Sequence, residues 1–184
     1  MRKVIAAINV TLDGFCEHTA INPDDEIHQH YSDLLANAGV ILYGRITYLL
    51  MEYWPMVMKN PTGNRATDEF AVTMDNIPKV VFSRTLKTID WETARLAQRD
   101  LKEEVLDLKQ QPGKDILVGS RSLILSLLNL NLIDEFQLCI HPVVLGNGSV
   151  RLFEGISDRI NLQLLKTKTF SSGAVIHYYK PEAK

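Results

Sequence analysis

Cysteine is scarce: Cys16 and Cys139 are the two present in 184 residues. That is too few for a disulfide scaffold or for a cysteine-ligated zinc site, and a reducing cytoplasm is the expected compartment. An excess of one charge is missing as well, with 20 Lys and Arg against 22 Asp and Glu and a formal net charge of -2. Such a chain offers no broad cationic field to a phosphate backbone, which argues against nucleic acid as the main partner. A phosphorylated ligand would have to be held by a few placed cations. Long apolar runs are also lacking. The opening segment is interrupted by Asn9, Thr11 and Asp13 and reads as a first strand rather than a signal peptide. The other apolar stretch is broken around Ser126 and Asn129, short of the roughly 18 residues that span a bilayer, so no membrane partner is expected. What is present, 46% hydrophobic and 23% charged residues, is the ordinary composition of one globular domain over residues 1–184.

Short runs rich in Val, Ile, Leu and Phe recur at 4–10, 40–43, 80–83, 116–118, 136–145, 162–170 and 174–179. Helical patterns lie between them, which predicts an α/β domain on a largely buried sheet. Pro23 and the carboxylates Asp24, Asp25 and Glu26 open a helix that runs through Tyr31, Leu34 and Leu35 and is expected to end at Gly39. A second helix follows Gly44 and Arg45 and is expected to stop at Trp54 and Pro55. Residues 59–65 read as a surface loop, 100–111 as an amphipathic helix ended by Pro112 and Gly113, and 120–130 as a buried helix. The last two runs, joined by Ser171, Ser172 and Gly173, form a β-hairpin. The early strands are thus joined by crossovers, parallel by preference, and the last pair is antiparallel.

Three strand-to-helix junctions are expected, and they carry small or cationic residues: Tyr43-Gly44-Arg45-Ile46-Thr47, Ser83-Arg84-Thr85 and Val118-Gly119-Ser120-Arg121-Ser122. Ligands of open α/β sheets bind beyond the carboxyl ends of strands, where a helix start offers free N–H groups to an anion. Each junction alone is more often a plain turn; three in order point to a phosphate-bearing dinucleotide. Neither the G-x-G-x-x-G nor the G-x-x-x-x-G-K-[ST] pattern is present, so a standard Rossmann or P-loop site is not indicated.

These segments resemble a known family. Asn9-Val-Thr-Leu-Asp-Gly-Phe15, Leu42-Tyr-Gly-Arg-Ile-Thr-Tyr48 running on to Tyr53-Trp-Pro55, Val81-Phe-Ser-Arg-Thr85, Asp115-Ile-Leu-Val-Gly-Ser120, Leu132-Ile-Asp-Glu135 and His141-Pro-Val-Val-Leu-Gly-Asn-Gly148 followed by Leu152-Phe153 are similar to the dihydrofolate-reductase-like family. Within it they resemble stand-alone relatives of the reductase domain of the bifunctional riboflavin-biosynthesis deaminase/reductase. The resemblance implies a three-layer α/β/α fold whose eight-stranded, mixed and mostly parallel sheet ends in an antiparallel hairpin. It also implies NADPH as hydride donor, a small heterocyclic or phosphorylated substrate, and often a homodimer. By the same resemblance Gly44, Arg45 and Thr47 receive the cofactor phosphates, Ser83 and Arg84 hold the adenosine 2′-phosphate, and Gly119, Ser120, Ser122 and Leu123 line the pyrophosphate and nicotinamide side. Leu12, Asp13 and Gly14 match the loop over the nicotinamide and substrate, with Asp13 the candidate polar residue at the reaction end and Trp54 a candidate pocket wall.

Two departures stand out. Ser120 occupies the place of the second glycine of a Gly-Gly pair usual in folate reductases, and no carboxylate among Asp24, Asp25 and Asp33 falls cleanly in the register that holds a pterin; His28 is the other polar candidate there. Dihydrofolate reductase itself is therefore the runner-up activity, and a nucleotide-binding regulator without turnover is the alternative of another class. His18, His28 and His30 beside Asp24 and Asp25 are not read as a metal site, because residues two apart on a helix point different ways. Cys139 reads as a buried small hydrophobe, Asp134 and Glu135 as turn residues, and Gly146-Asn147-Gly148 as a bend.

Overall fold

Branched and apolar residues at every position from Val4 to Ala6 suit a strand covered on both faces, and that is where the chain begins its sheet. The computed structural model describes residues 1–17, 21, 23–156 and 158–182. Strands β1 (Val4–Thr11), β2 (Ala38–Gly44), β3 (Lys79–Phe82), β4 (Ala94–Leu96), β5 (Asp115–Val118), β6 (Glu135–His141), β7 (Leu162–Thr169) and β8 (Val175–Pro181) alternate with helices α1 (Asp25–Ala36), α2 (Arg45–Met51), α3 (Tyr53–Lys59), α4 (Arg65–Asn76), α5 (Leu101–Gln110) and α6 (Arg121–Asn129). All eight strands join one sheet in the order β4-β3-β2-β5-β1-β6-β8-β7. Every pairing from β4 across to β6 is parallel, whereas β8 runs antiparallel to both β6 and β7.

Alternation along the strands divides the core into two layers. Val4, Ala6, Val40, Leu42, Ile116 and Val118 face α5 and α6 and pack on Val105, Leu108, Ile124 and Leu127. Ile5, Ile41, Tyr43 and Leu117 face the other way, toward Leu35 of α1 and Phe70 and Met74 of α4. Ile124 and Leu127 are fully buried, and each such side chain contributes roughly 1.5–3 kcal/mol. Helix starts are fixed by side-chain caps in α1, α4 and α5, where Asp24, Asn64 and Asp100 accept from the N–H groups of Ile27, Thr67 and Glu103.

Several sequence-based boundaries move. Helix α1 ends on Asn37, and Gly39 lies inside β2 beside a register shift; a Cβ there would stand 2.9 Å from a guanidinium nitrogen of Arg2 and 3.1 Å from the Lys114 carbonyl oxygen, so close approach rather than capping explains this glycine. Pro55 does not close the second helix. It sits in the first turn of α3, where its missing N–H costs nothing. The run at 136–145 ends as a strand at His141, before Pro142. Helix α4 and the short β4 went unread, and no helix follows Ser83: the chain leaves β3 into a loop that returns as β4.

Candidate active site

The parallel strands deliver Thr11, Gly44, Phe82, Val118 and His141 to one edge of the sheet, the carboxyl edge. Strand β1 lies in the middle, hydrogen-bonded to β5 on one side and β6 on the other, yet its burial is broken there. Val4, Ile5, Ala6, Val10 and Thr11 are buried, while Ala7, Ile8 and Asn9 are partly open to solvent. Successive residues point to opposite faces, Ile8 into the α5/α6 layer and Asn9 toward Tyr31 of α1, so the cover thins at this edge, and the space over Ala7 and Asn9 is the candidate cleft. Gly119 borders it: a Cβ on this residue would find nothing nearer than the Ala7 carbonyl oxygen at 4.0 Å, so the space in front of its backbone is free.

The two helix starts beside the cleft, unlike those of α1, α4 and α5, carry no side-chain cap. Ser120 precedes α6 but does not cap it; its buried Oγ accepts from the Gly44 N–H at 2.8 Å, bracing the β5 junction against the β2 junction. Ser120 is 1% exposed, so the departure from a Gly-Gly pair serves as a strut across the floor of the two junctions. A Cβ on Gly44 would come within 3.1 Å of the Ser122 Oγ, a close approach that the exposed serine would have to relieve. Helices α2 and α6 both lack a side-chain cap. Arg45 and Arg84 are exposed, and neither guanidinium bonds to a described residue. Thr47 is half-buried in the first turn of α2. The Ser83 hydroxyl accepts from the N–H groups of Thr85 and Leu86 and shapes a turn rather than a helix start. The Leu123 side chain is buried in the core, leaving its backbone as the part that faces the junction.

A loop pair roofs the far end. Asp13 accepts from the Thr11 hydroxyl at 2.6 Å and from the N–H groups of Leu145 and Gly146 at 3.2 and 2.8 Å. The Thr11 hydroxyl, followed by the Gly146 N–H, pulls its pKa down to about 2. The Asp13 carboxylate thus ties the 12–17 loop to the 143–150 segment. Gly14 takes φ +84° in this turn, a conformation that disfavours a side chain. Phe15 is buried beneath the Arg151 guanidinium, 4.3 Å from the ring centroid, and Glu17 accepts from Ser149 and Val150. Arg121, the cation of the third junction, does not stand free for a ligand: it donates to the carbonyls of Arg151 and Glu154 at 2.6 and 2.7 Å and anchors the segment after 150. Leu12 is left 63% exposed at the tip, beside Val143, whose carbonyl accepts from its N–H.

On the α1 side the carboxylates are spoken for or turned away. Asp24 is the N-cap, Glu26 accepts from Ser171 of the hairpin turn, and Asp25 and Asp33 are exposed. His28 turns inward, with its ring 5.7 Å from Phe70 and a buried Nδ1 lacking a partner; burial pushes its pKa down. Trp54 packs edge-on against Phe70 at 4.6 Å and Tyr53 at 5.2 Å, closing the α3–α4 side. Asn9, Tyr31 and His141, none of them singled out as a site residue from sequence, meet through Asn9 Oδ1, 3.0 Å from the Tyr31 hydroxyl and 2.9 Å from His141 Nε2. Strands β1 and β6 and helix α1 each supply one member, which is why no local pattern reveals the group. Among the described residues no group of three or more His, Cys, Asp or Glu side chains is placed to hold a metal, and His18 lies outside those residues.

Two further hollows lie elsewhere. One of ≈ 370 Å³ is at the opposite, amino edge, lined by Arg2, Lys79, Thr93 and Arg95 among others. Its lysine is consumed by structure: Lys79 Nζ donates to the carbonyls of Ile77 and Asp75 and to the Thr93 hydroxyl, 4.0 Å above the Trp91 ring. The other, ≈ 210 Å³, is apolar and walled by Leu128, Phe136, Phe153, Ile156, Ile160 and Leu162.

A mixed eight-stranded sheet with a parallel carboxyl-edge cleft and an antiparallel final hairpin defines a domain of the dihydrofolate-reductase-like class. The chain belongs to the RibD C-terminal domain family, whose model matches residues 2–176. It is 40% identical over 182 residues to the uncharacterized protein YyaP of Bacillus subtilis (strain 168), covering 95% of this chain and 92% of that protein. Among solved structures it resembles a putative riboflavin biosynthesis protein from Shewanella sp. PV-4, with a TM-score of 0.70, 18% identity and full coverage of both chains. It also resembles the diaminohydroxyphosphoribosylaminopyrimidine deaminase/5-amino-6-(5-phosphoribosylamino)uracil reductase of Thermotoga maritima, with a TM-score of 0.67 and 17% identity, over 98% of this chain and 56% of that one. At those identities the structures speak for the fold, and the family is that of a riboflavin-pathway-type reductase domain.

Proposed function

We propose that the protein is an NADPH-dependent reductase of a small heterocyclic substrate, with 5-amino-6-(5-phosphoribosylamino)uracil reductase-like activity as the family's nearest model. The observation that carries this reading is the opening over Ala7, Ile8 and Asn9 in an otherwise buried central strand, bordered by the empty space in front of Gly119. The residues present fit the cofactor. The first turns of α2 and α6 lack side-chain caps, and Arg45 and Arg84 have guanidinium groups free of partners among the described residues, so phosphates have both backbone and cationic donors at hand. NADPH, when bound, supplies the hydride.

The protein's own part is binding, orientation and exclusion of water. Arg45, Thr47, Ser83 and Arg84 hold phosphate groups at the strand ends, while Gly119 and the backbone at Ser120, Ser122 and Leu123 allow close approach. Leu12 and Gly14 cover the reacting end. Asp13, its carboxylate already accepting three hydrogen bonds, is assigned to holding that cover in place rather than to delivering a proton. Trp54 walls the α3 side of the substrate pocket. The proposal includes a cytoplasmic location and a homodimer. Strand β6 is interior and cannot supply the interface, but β7 is an outer strand exposed along most of its length, with Leu164 and Leu165 about half open and Leu162 in the wall of the apolar hollow. No described helix is long and apolar enough to cross a membrane.

Fluorescence titration with NADPH, followed by turnover with a panel of aminopyrimidine and pterin substrates, tests the reading. Binding with oxidation by an aminopyrimidine is the expected result. Binding without oxidation by any substrate would favour the regulator, and failure to bind NADPH would refute both.

A further inference from the structure

Asn9 stands in the accessible stretch of β1, between buried Ala6 and Val10. Its carboxamide is the meeting point of three elements. Tyr31 of α1 places its hydroxyl 3.0 Å from Oδ1, and His141 of β6 places Nε2 2.9 Å from the same atom, with the Cys139 Sγ 3.5 Å from that nitrogen. Burial of the Tyr31 hydroxyl pushes its pKa well up, so it remains an O–H and needs an acceptor. An amide oxygen accepts and an amide NH₂ only donates, so the oxygen faces Tyr31 and the amide has one orientation. That oxygen then also accepts the Nε2–H of His141. In neutral His141 this fixes the proton on Nε2, and burial, opposed by Asp24, favours the neutral ring. Both acceptor sites of Oδ1 are filled, while Nδ2, on the other side of the amide carbon, hydrogen-bonds to no described residue.

We propose that the Asn9 amino group is a ligand-recognition donor of the cleft, made for a carbonyl oxygen on the substrate ring, and that Tyr31 and His141 are positioning residues that hold it in that orientation. The inference deepens the reductase reading and rests on it for the site, but its chemistry is separate. A donor fixed by two hydrogen-bonded partners discriminates between ring substituents because a ligand presenting its own N–H there leaves two donors facing each other. A freely rotating amide would turn over and accept. Asn9 therefore accounts for selection of oxo-heterocycles over their amino counterparts at one ring position.

The test uses a matched probe pair, pyrimidin-4-one and 4-aminopyrimidine, titrated by NMR into the whole protein at neutral pH, with and without NADPH. The wild type is expected to favour the oxo probe by about tenfold. Asn9→Asp keeps acceptors for Tyr31 and His141 but replaces the donor by an oxygen, and its preference is expected to reverse. Tyr31→Phe, which keeps the ring and frees the amide to turn, is expected to narrow the ratio to about twofold without loss of folding. A general structural role would weaken both probes alike and leave the ratio unmoved. Equal affinities in the wild type, an unchanged ratio in Asn9→Asp, or no binding of either probe at 10 mM or so would overturn the proposal. NADPH fluorescence is read on the same samples. Loss of NADPH binding alone would count against the reductase reading, while the probe ratio would still report on Asn9.

Discussion

Replacing Ser120 by alanine isolates the contact that makes this cleft unlike a Gly-Gly junction. The wild-type Oγ accepts from the Gly44 N–H at 2.8 Å, and Ser120, Gly44 and the strands beneath them are buried. Alanine leaves that N–H without a partner in a place water reaches poorly, a loss of about 1–3 kcal/mol. For a domain of this size each kcal/mol moves Tm by roughly 2–4 °C, so the expected fall is about 4–8 °C for a mid-range loss. Ser122→Ala is the internal control: its hydroxyl is exposed and only approaches the Gly44 face, and it is expected to stay within about 0.5 kcal/mol of the parent. Calorimetry on the three proteins gives the comparison. A Ser120→Ala variant melting within a degree of the wild type would refute the strut and return Ser120 to the status of a replaced glycine.

Further outcomes follow from other contacts. Arg45→Ala or Arg84→Ala should weaken NADPH about tenfold or more and NADH much less, since charge-assisted contacts to the 2′-phosphate are lost; equal losses would remove both residues from the 2′-phosphate and leave them the pyrophosphate common to the two cofactors. Asp13, with its pKa drawn down from 3.8 to about 2, should hold its loop at all pH values above the ordinary carboxylate range and release it as pH falls through about 2; amide shifts of Leu145 and Gly146 that titrate near pH 4 would contradict this. Lys79 runs the other way. Burial lowers its pKa from 10.5 to about 8, so the native state binds fewer protons than the unfolded chain between those values and stability should rise as pH climbs from about 8 toward 10.5, a slope that Lys79→Met should abolish in urea melts. Dihydrofolate turnover should lie at least about 10²-fold below an ordinary enzymatic rate near 10 s⁻¹, because the carboxylates at α1 are exposed or already engaged, Asp24 as the N-cap, Glu26 with Ser171 and Asp33 with Gln29. Sedimentation at micromolar concentration should find twice the monomer mass, and a monomer alone would reject the dimer.

Much of the fold was legible because its signals are local. The apolar runs became β1, β2, β3, β5, β6, β7 and β8, and the Ser171-Ser172-Gly173 turn joins an antiparallel pair as expected. Helix α4 was legible in hindsight: Asn64 caps it, and Phe70, Ala71 and Met74 recur at three- and four-residue spacing, but the Pro and Gly just before it masked the start. Strand β4 has three residues and no alternation to detect. The candidate site divides along the same line. Gly44, Arg45, Gly119 and Ser120 advertise themselves as junction residues, whereas the bond between Ser120 and Gly44 spans 76 positions and the one between His141 and Asn9 spans 132. Such pairs exist only once β2 lies beside β5 and β1 beside β6. Asp13 was visible as a polar residue at the reaction end, but its partners Leu145 and Gly146 were not, and those partners decide what it does.

The central claim is that the carboxyl-edge opening over Ala7 to Asn9 is the cofactor and substrate site. Amide chemical shifts of the ¹⁵N-labelled protein titrated with NADPH test it most directly. The account predicts saturable changes at Ala7, Asn9, Gly44, Gly119 and Ser122. Changes confined to Gly39, Thr93 and Ala94 around the amino-edge hollow, or no changes at millimolar NADPH, would contradict it.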